Sequence, residues 1–256
     1  NLAPEVRQYA SVVSRSAESM LELINDILDL SRIETGKFDL ESNPFNLLSV
    51  FEEIAEIFAI EALEKQIDFK CLPDPKLPYS VIGDSLRVKQ AIMNLVGNAI
   101  KFTSEGSVTV DLRLINETAQ SALFECHIKD TGIGIAPGAR DYLFEAFTQA
   151  DSSTARKFGG TGLGLSITKN LVEAMDGCIH FDSEPGKGTV FWFTFELEKD
   201  LKTIAAIENT PKPIINGTTL IALPDNEIAN WVSAGLTQSG FANLLESNAT
   251  KLTAAL

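Results

Sequence analysis

Val6, Ala10, Val13, Ala17, Met20, Ile24 and Ile27 recur at alternating spacings of four and three. That is a heptad seam, the pattern that keeps one apolar stripe turned toward a partner helix. Pro4 suits a first helical turn and Gly36 follows the last periodic residue, so the spacing predicts a single long helix between them. Leu21, Leu23, Leu28 and Leu30 widen the stripe. The alternative is a surface helix lying on a globular core, with a broader stripe of period 3.6.

From Lys37 onward the pattern changes to α+β. Asn46 is placed to cap a helix running to about Lys65, with Leu48, Phe51, Ile54, Ala55 and Phe58 on its apolar face. A strand over Ile67 to Leu72 precedes a loop punctuated by Pro73, Pro75 and Pro78. Asp84 or Ser85 opens a helix bearing Val88, Ala91, Ile92, Leu95, Val96, Ala99 and Ile100, apolar enough to lie on a sheet. Ser107 to Ile115 and Leu123 to Asp130 alternate apolar and polar residues and predict antiparallel strands. After a glycine loop at Gly132 and Gly134, a helix is expected to hold Leu143 and Phe147. An aperiodic stretch from Thr148 to Gly160 leads to a helix ending near Met175. Cys178 to Asp182 and Thr189 to Leu197 read as a closing hairpin that turns at Pro185-Gly186. Residues 200–216 have linker composition. Thr218 to Leu223 and Glu227 to Ser239 then read as a strand and a helix.

Composition narrows the function classes. With 256 residues, 45% apolar and 22% charged, the chain has the make-up of a folded globular protein. Its formal net charge of -14 disfavours a broad basic face for nucleic acid or an anionic membrane. A phosphate ligand must therefore be held by local devices. Cys71, Cys126 and Cys178 lie more than fifty residues apart without a CxxC pair, which excludes a disulfide scaffold and a zinc ribbon and points to a reducing compartment. No run approaches the roughly 18 apolar residues of a membrane span. Asn1 in place of Met points to a piece of a longer chain.

The candidate chemistry lies in several short elements in fixed order. Asn94 and Asn98, four apart on one helix, put two neutral amides on the same edge, where an oxygen can ligate Mg²⁺. Lys101, one turn on, is placed to reach a phosphate. Asp130 ends a strand and is followed by Gly132 and Gly134, which let a ring approach the backbone. Gly159-Gly160-Thr161-Gly162-Leu163-Gly164 supplies free amides at a helix start, where the dipole favours anions. Together these predict a nucleotide pocket. The Gly186-Lys187-Gly188-Thr189 run lacks P-loop spacing and reads as a turn, and Ile167 occupies the third glycine position of a dinucleotide fingerprint.

The boxes Asp84-x-x-Arg87-x-x-Gln90, Asn94-Leu-Val-Gly-Asn98-Ala-Ile-Lys101-Phe102-Thr103, Asp130-Thr-Gly-Ile-Gly134, Phe144-Glu-Ala-Phe147 and Gly159-Gly-Thr-Gly-Leu-Gly164-Leu stand in sequence. In this the chain resembles the catalytic region of hybrid sensor histidine kinases, from about Glu18 to Glu198. The resemblance implies a Bergerat-type two-layer α/β sandwich that binds ATP and Mg²⁺. Leu21 to Lys37 is similar to the second helix of the family's dimerisation hairpin. By the same resemblance Asp130 takes the adenine amino group with Thr189 assisting through water, and Phe102 packs on the base. Asn98 ligates Mg²⁺ with Asn94 in support, and Lys101 contacts phosphate. Thr148 to Thr161 form a lid from which Arg156 or Lys157 reaches the terminal phosphate, while Gly160, Thr161, Gly162, Leu163 and Gly164 line the anion site.

Gyrase-like ATPases of this fold carry a glutamate where Asn94 stands. An amide cannot take a proton from water, so Asn94 favours transfer to a delivered side chain. In the family that side chain is a histidine on the first hairpin helix, which implies an acceptor upstream of this fragment and no autophosphorylation by the fragment alone. His127 and His180 lie in strand patterns and read as structural. The implied organisation is a hairpin helix (1–36), a catalytic domain (37–199), a linker (200–216) and the start of a receiver-like domain (217–256). In that last segment Pro224-Asp225-Asn226 replaces the usual acidic pair. The implied partners are a second copy, the acceptor helix and receiver or response-regulator domains. The implied location is the cytoplasmic side of a sensor anchored by upstream segments.

Overall fold

The computed structural model describes residues 4–35, 38–147, 162–208, 218–221, 226–239 and 242–245. Helix α1 (Pro4–Glu34) is continuous, and seam residues Val6, Val13, Met20, Ile24 and Ile27 are all exposed. Strand β1 (Asn43–Phe45) leads into α2 (Leu47–Lys65), capped by the Asn46 side chain, which accepts from the Leu48 amide at 2.9 Å. The buried stripe of α2 holds Leu47, Val50, Phe51, Ile54, Phe58 and Ala62, while Leu48 faces outward. Leu48 thus falls off the expected face, because Leu47 and not Leu48 stands one turn before Phe51 in the stripe that continues through Ile54 and Phe58. Strands β2 (Asp68–Pro73) and β3 (Val81–Gly83) precede α3 (Ser85–Phe102). Asp84 caps α3, accepting from the Arg87 amide at 3.1 Å.

Strands β4 (Ser107–Glu117) and β5 (Ser121–Asp130) pair antiparallel as expected. The helix expected around Leu143 and Phe147 is instead a short 3-10 turn over Pro137–Tyr142. Phe147 adopts φ 62° and is exposed, its amide donating to Gly162 O. Helix α4 (Gly164–Ala174) and the hairpin β6 (Ile179–Glu184) and β7 (Gly188–Lys199) follow. The proposed linker is not wholly irregular: α5 (Leu201–Glu208) starts at Asp200, whose carboxylate accepts from Ser80 Oγ and the Thr203 amide. Its apolar positions, Leu201 and the run Ile204 to Ile207, lie within only eight residues, too few to show a helical period. Strand β8 (Thr218–Ile221), helix α6 (Asn226–Gln238) and strand β9 (Ala242–Leu245) form a parallel β-α-β unit.

The main sheet runs β1-β3-β7-β5-β4-β2, with β6 also paired to β7, giving seven strands. Strands β4 and β5 turn Val108, Val110, Leu112, Phe124, Cys126 and Ile128 to one side, and β7 adds Phe191, Phe193, Phe195 and Leu197. Helices α2, α3 and α4 cover that side and complete the main core. The result is a two-layer α+β sandwich, as the motifs imply. Short strands β1 and β3 escaped the pattern because three residues are too few to show alternation. Among the described residues no helix is long and apolar enough to cross a membrane.

Candidate functional site

The antiparallel register sets the last residue of β5, Asp130, opposite Thr189 at the start of β7. The Asp130 side chain is buried, and its Oδ1 accepts from the Gly132 amide at 2.8 Å and the Thr189 amide at 3.2 Å. Burial lifts its pKa above the usual carboxylate value, and the two amide bonds oppose that shift only in part. Both bonds fall on Oδ1, which leaves Oδ2 for a ligand. Thr189 Oγ1 lies 2.9 Å from Ser183 Oγ, which accepts from the Ile135 amide at 2.8 Å. The loop after β5 is thereby stitched to β6 and β7.

Two glycines permit this packing. A Cβ on Gly132 would run into the carbonyl oxygen of Phe102, and one on Gly134 would meet the Glu184 carbonyl at an already left-handed φ of 68°. Ile133 N donates to Phe102 O at 3.3 Å, so the glycine loop rests on the C-terminal end of α3. Phe102 is half-buried there, with Lys101 Nζ 5.1 Å from its ring centroid. Partial burial, and then the neighbouring Lys65, depress the Lys101 pKa. The negative charge of a bound phosphate would counteract both effects.

One and two turns before Phe102, Asn98 and Asn94 point along the same flank of α3. Asn94 Nδ2 donates to Thr168 Oγ1 at 2.7 Å, and Thr168 Oγ1 donates to Gly164 O at 3.0 Å. A side chain on Gly164 would collide with the Asn94 amide. Asn94 therefore braces α3 against the first turn of α4. The half-buried Asn98 makes no side-chain hydrogen bond among the described residues, and its oxygen is available to a metal. For Leu163 the expected contribution is confined to its backbone. Its side chain is 1% exposed and packs with Ile167, Leu171, Leu30 and Phe38, so only its backbone can serve an anion.

The structure thus gathers Asn94, Asn98, Lys101, Phe102, Asp130, Gly132, Gly134, Gly162, Gly164 and Thr189 along the end of α3, the β5 loop and the start of α4. Arg156, Gly160 and Thr161 lie outside the described residues. His127 and His180 are remote from this group in role: they flank Trp192 across three strands, with His127 Nε2 2.6 Å from Glu125 Oε1. A cavity of about 390 Å³ includes Asp130, Ser183 and Thr189 in its lining, together with the charged Lys129, Arg140, Asp182, Glu184 and Lys187 and with Gly188 and Val190. It contains nothing from α3 or α4, so it meets the predicted site only at Asp130 and Thr189. No group of three or more His, Cys, Asp or Glu side chains that could hold a metal occurs among the described residues. A cation here would depend on Asn98 together with oxygens of a ligand, which suits Mg²⁺ with a nucleotide. Sequence motifs missed the contact of Asn94 with Thr168 and the pairing of Asp29 with Arg87. The first needs the α3–α4 packing. The second had a signal, since Arg87 and Gln90 belong to a recognised box to which no role was given.

Residues 83–199 match the family of histidine kinase-, DNA gyrase B- and HSP90-like ATPases, and residues 1–36 match the His Kinase A (phospho-acceptor) domain. The chain is similar to the sensor histidine kinase GacS of Pseudomonas protegens, 42% identical over 228 residues, covering 89% of this chain and 24% of that protein. It is also 42% identical over 230 residues to the signal transduction histidine-protein kinase BarA of Escherichia coli, covering 89% of this chain and 25% of the relative. Hybrid signal transduction histidine kinase A of Dictyostelium discoideum is 38% identical over 229 residues, with 84% and 11% covered. The chain therefore spans about a quarter or less of these relatives. Among solved structures, full-length ShkA in complex with AMPPNP superposes with a TM-score of 0.73 at 28% identity, over 99% of this chain and 51% of that one. Residues 83–199 thus belong to the histidine kinase-, DNA gyrase B- and HSP90-like ATPases, within a chain homologous to the catalytic region of hybrid sensor histidine kinases.

Proposed function

We propose that this chain binds Mg²⁺-ATP and transfers its γ-phosphoryl group to a histidine on the helical hairpin to which α1 belongs. The observation that carries the reading is the Asp130 carboxylate. It is buried and fixed through Oδ1, with Oδ2 left beside two glycines that no side chain could replace. Oδ2 accepts the adenine amino group, Thr189 assists through a water and Phe102 packs on the base. Gly132 and Gly134 let the ring approach. The complex of full-length ShkA with AMPPNP supports a nucleotide of this kind.

Lys101 and the amides of Gly162, Leu163 and Gly164 receive phosphate oxygens at the dipole-positive start of α4. Gly160, Thr161 and Arg156 act from the lid, Arg156 on the terminal phosphate. Asn98 would hold the metal, with Asn94 in support through its contact with Thr168. Mg²⁺ bound there would supply neutralisation of the phosphate charge. In the transfer the histidine nitrogen forms a bond to the γ-phosphorus while the bond from that phosphorus to the bridging oxygen breaks, and ADP leaves. The protein contributes position and electrostatics. Water is a poor competitor because Asn94 cannot accept its proton.

The exposed seam on α1 supports a second copy as partner. Residues 1–36 act as the hairpin helix and 37–199 as the catalytic domain, with 200–216 connecting, partly through α5, to a receiver-like segment over 217–256. The parallel β8-α6-β9 unit supports that last assignment. In the whole protein, we infer, the domain works on the cytoplasmic side of an anchored sensor with receiver domains as its partners. Titration calorimetry with ADP and an ATP analogue tests the site. Asn98→Ala and Asp130→Ala are each expected to weaken binding at least about tenfold, from loss of a charge-assisted contact of ~1.5–3 kcal/mol. Wild-type affinity in both variants would refute it.

A further inference from the structure

Two faces of α1 have different fates. The heptad seam is exposed, whereas Asp29 is 7% exposed and Leu23, Asp26 and Leu30 are half-buried. Asp29 receives the Arg87 guanidinium on both oxygens, Nη1 to Oδ2 at 2.6 Å and Nη2 to Oδ1 at 3.0 Å. Gln90 Nε2 adds a third bond to Oδ2 at 3.2 Å, and Gln90 Oε1 accepts from Arg87 Nη1 at 2.7 Å. The Phe38 ring lies 4.9 Å from the guanidinium carbon. Asp84, whose Oδ1 caps the same helix, accepts the Glu41 amide on Oδ2. Beside this polar clasp, Leu30, Phe38 and Ala146 pack on Leu163, Ile167 and Leu171.

We propose that Asp29, Arg87 and Gln90 are positioning residues that set where the ATP-binding module stands on α1. The inference rests on the nucleotide reading above and extends it to the geometry of delivery. Arg87 and Asn98 share one helix and stand roughly 16 Å apart along it, so the clasp touches none of the ligand-binding atoms. It nevertheless fixes them, because α3 carries Arg87 at one end and Asn98, Lys101 and Phe102 at the other. The apolar half acts alike through Leu163, next to the glycines that start α4. A buried bidentate ion pair is suited to this work: it is directional, and loss of one partner leaves a charge stranded. An apolar contact alone would permit sliding. Opening the clasp therefore releases the module as a rigid body with its pocket intact.

The test compares wild type, Asp29→Asn and the double exchange D29R/R87D by hydrogen exchange and ADP calorimetry. The exchange pair is feasible because the Gln90 amide offers both a donor and an acceptor and serves either polarity. Asp29→Asn is expected to raise exchange at least tenfold over residues 23–32 and 38–41 while the ADP Kd stays within twofold. D29R/R87D is expected to restore protection. In a chain that also carries the acceptor histidine, Asp29→Asn lowers kcat for transfer at unchanged KM for ATP. Unchanged exchange in Asp29→Asn, no recovery in the double variant, or an ADP Kd shifted more than fivefold would overturn the proposal. A wild type that binds no ADP would instead refute the nucleotide reading, and the exchange results would still decide the clasp.

Discussion

Asp130→Asn separates recognition from stability, because the structure asks one carboxylate to serve both. Asparagine keeps an oxygen where Oδ1 accepts from the Gly132 and Thr189 amides. It puts an amide donor where Oδ2 faces the ligand, against the adenine amino group, which is also a donor. The loss is that of a charge-assisted acceptor, about 1.5–3 kcal/mol, or roughly tenfold to 150-fold in Kd. Stability runs the other way. Burial raises the folded-state pKa of Asp130, so folding favours its protonated form. That contribution is fully present below the unfolded pKa and is lost as pH rises through the folded one. At pH 7 the wild type therefore bears a disfavoured buried charge that the neutral isostere lacks. Calorimetric titration with ADP and thermal unfolding at pH 7 should show weakened binding together with a Tm equal to or above wild type. At acid pH the two Tm values should converge. ADP affinity within twofold of wild type, or a Tm lowered at pH 7, would refute the reasoning.

Binding of ADP should fall off at both ends of the pH scale, because ionised Asp130 and protonated Lys101 are both required. The acid limb comes in early, as pH falls through the raised carboxyl pKa, and the basic limb also comes in early, as pH rises through the depressed Lys101 pKa; a flat profile by titration would contradict this. Asn98→Ala should make ADP affinity nearly equal in Mg²⁺ and in EDTA, whereas wild type should depend on the metal. Gly164→Ala drives a methyl into the Asn94 amide and should cost about 1–3 kcal/mol of unfolding free energy, read by urea denaturation. Ile24→Lys on the exposed seam should shift sedimentation of the chain toward monomer, and unchanged sedimentation would remove α1 as the pairing surface.

The parts of the fold legible in the sequence were those whose pattern repeats. Helix α2 begins and ends where Asn46 and Lys65 place it, and the alternation in β4 and β5 gives both strands and their pairing. Elements of three residues, such as β1 and β3, leave no period to read, and Pro137-Gly138 with Phe147 at positive φ broke the helix expected there. In the site, the chemistry-bearing residues follow from residue type and order, because an amide pair on a helix or a carboxylate before glycines already defines a function. Their division of labour does not. That Asn94 is engaged with Thr168 while Asn98 is not depends on how α4 packs on α3, a contact over 74 residues of separation. Leu163 looked like part of an anion loop, yet its side chain faces α1, since the glycines around it display backbone and leave the apolar residue to the interior.

The central claim is phosphoryl transfer to histidine in preference to water. Its most direct test is to incubate γ-labelled ATP and Mg²⁺ with a chain extended to include the acceptor hairpin, following protein-bound label and free phosphate together. The account predicts acid-labile, base-stable label on a hairpin histidine, little free phosphate and loss of label in Asn98→Ala. Phosphate released in step with ATP consumed and no labelled protein, or label on His127 or His180, would contradict it.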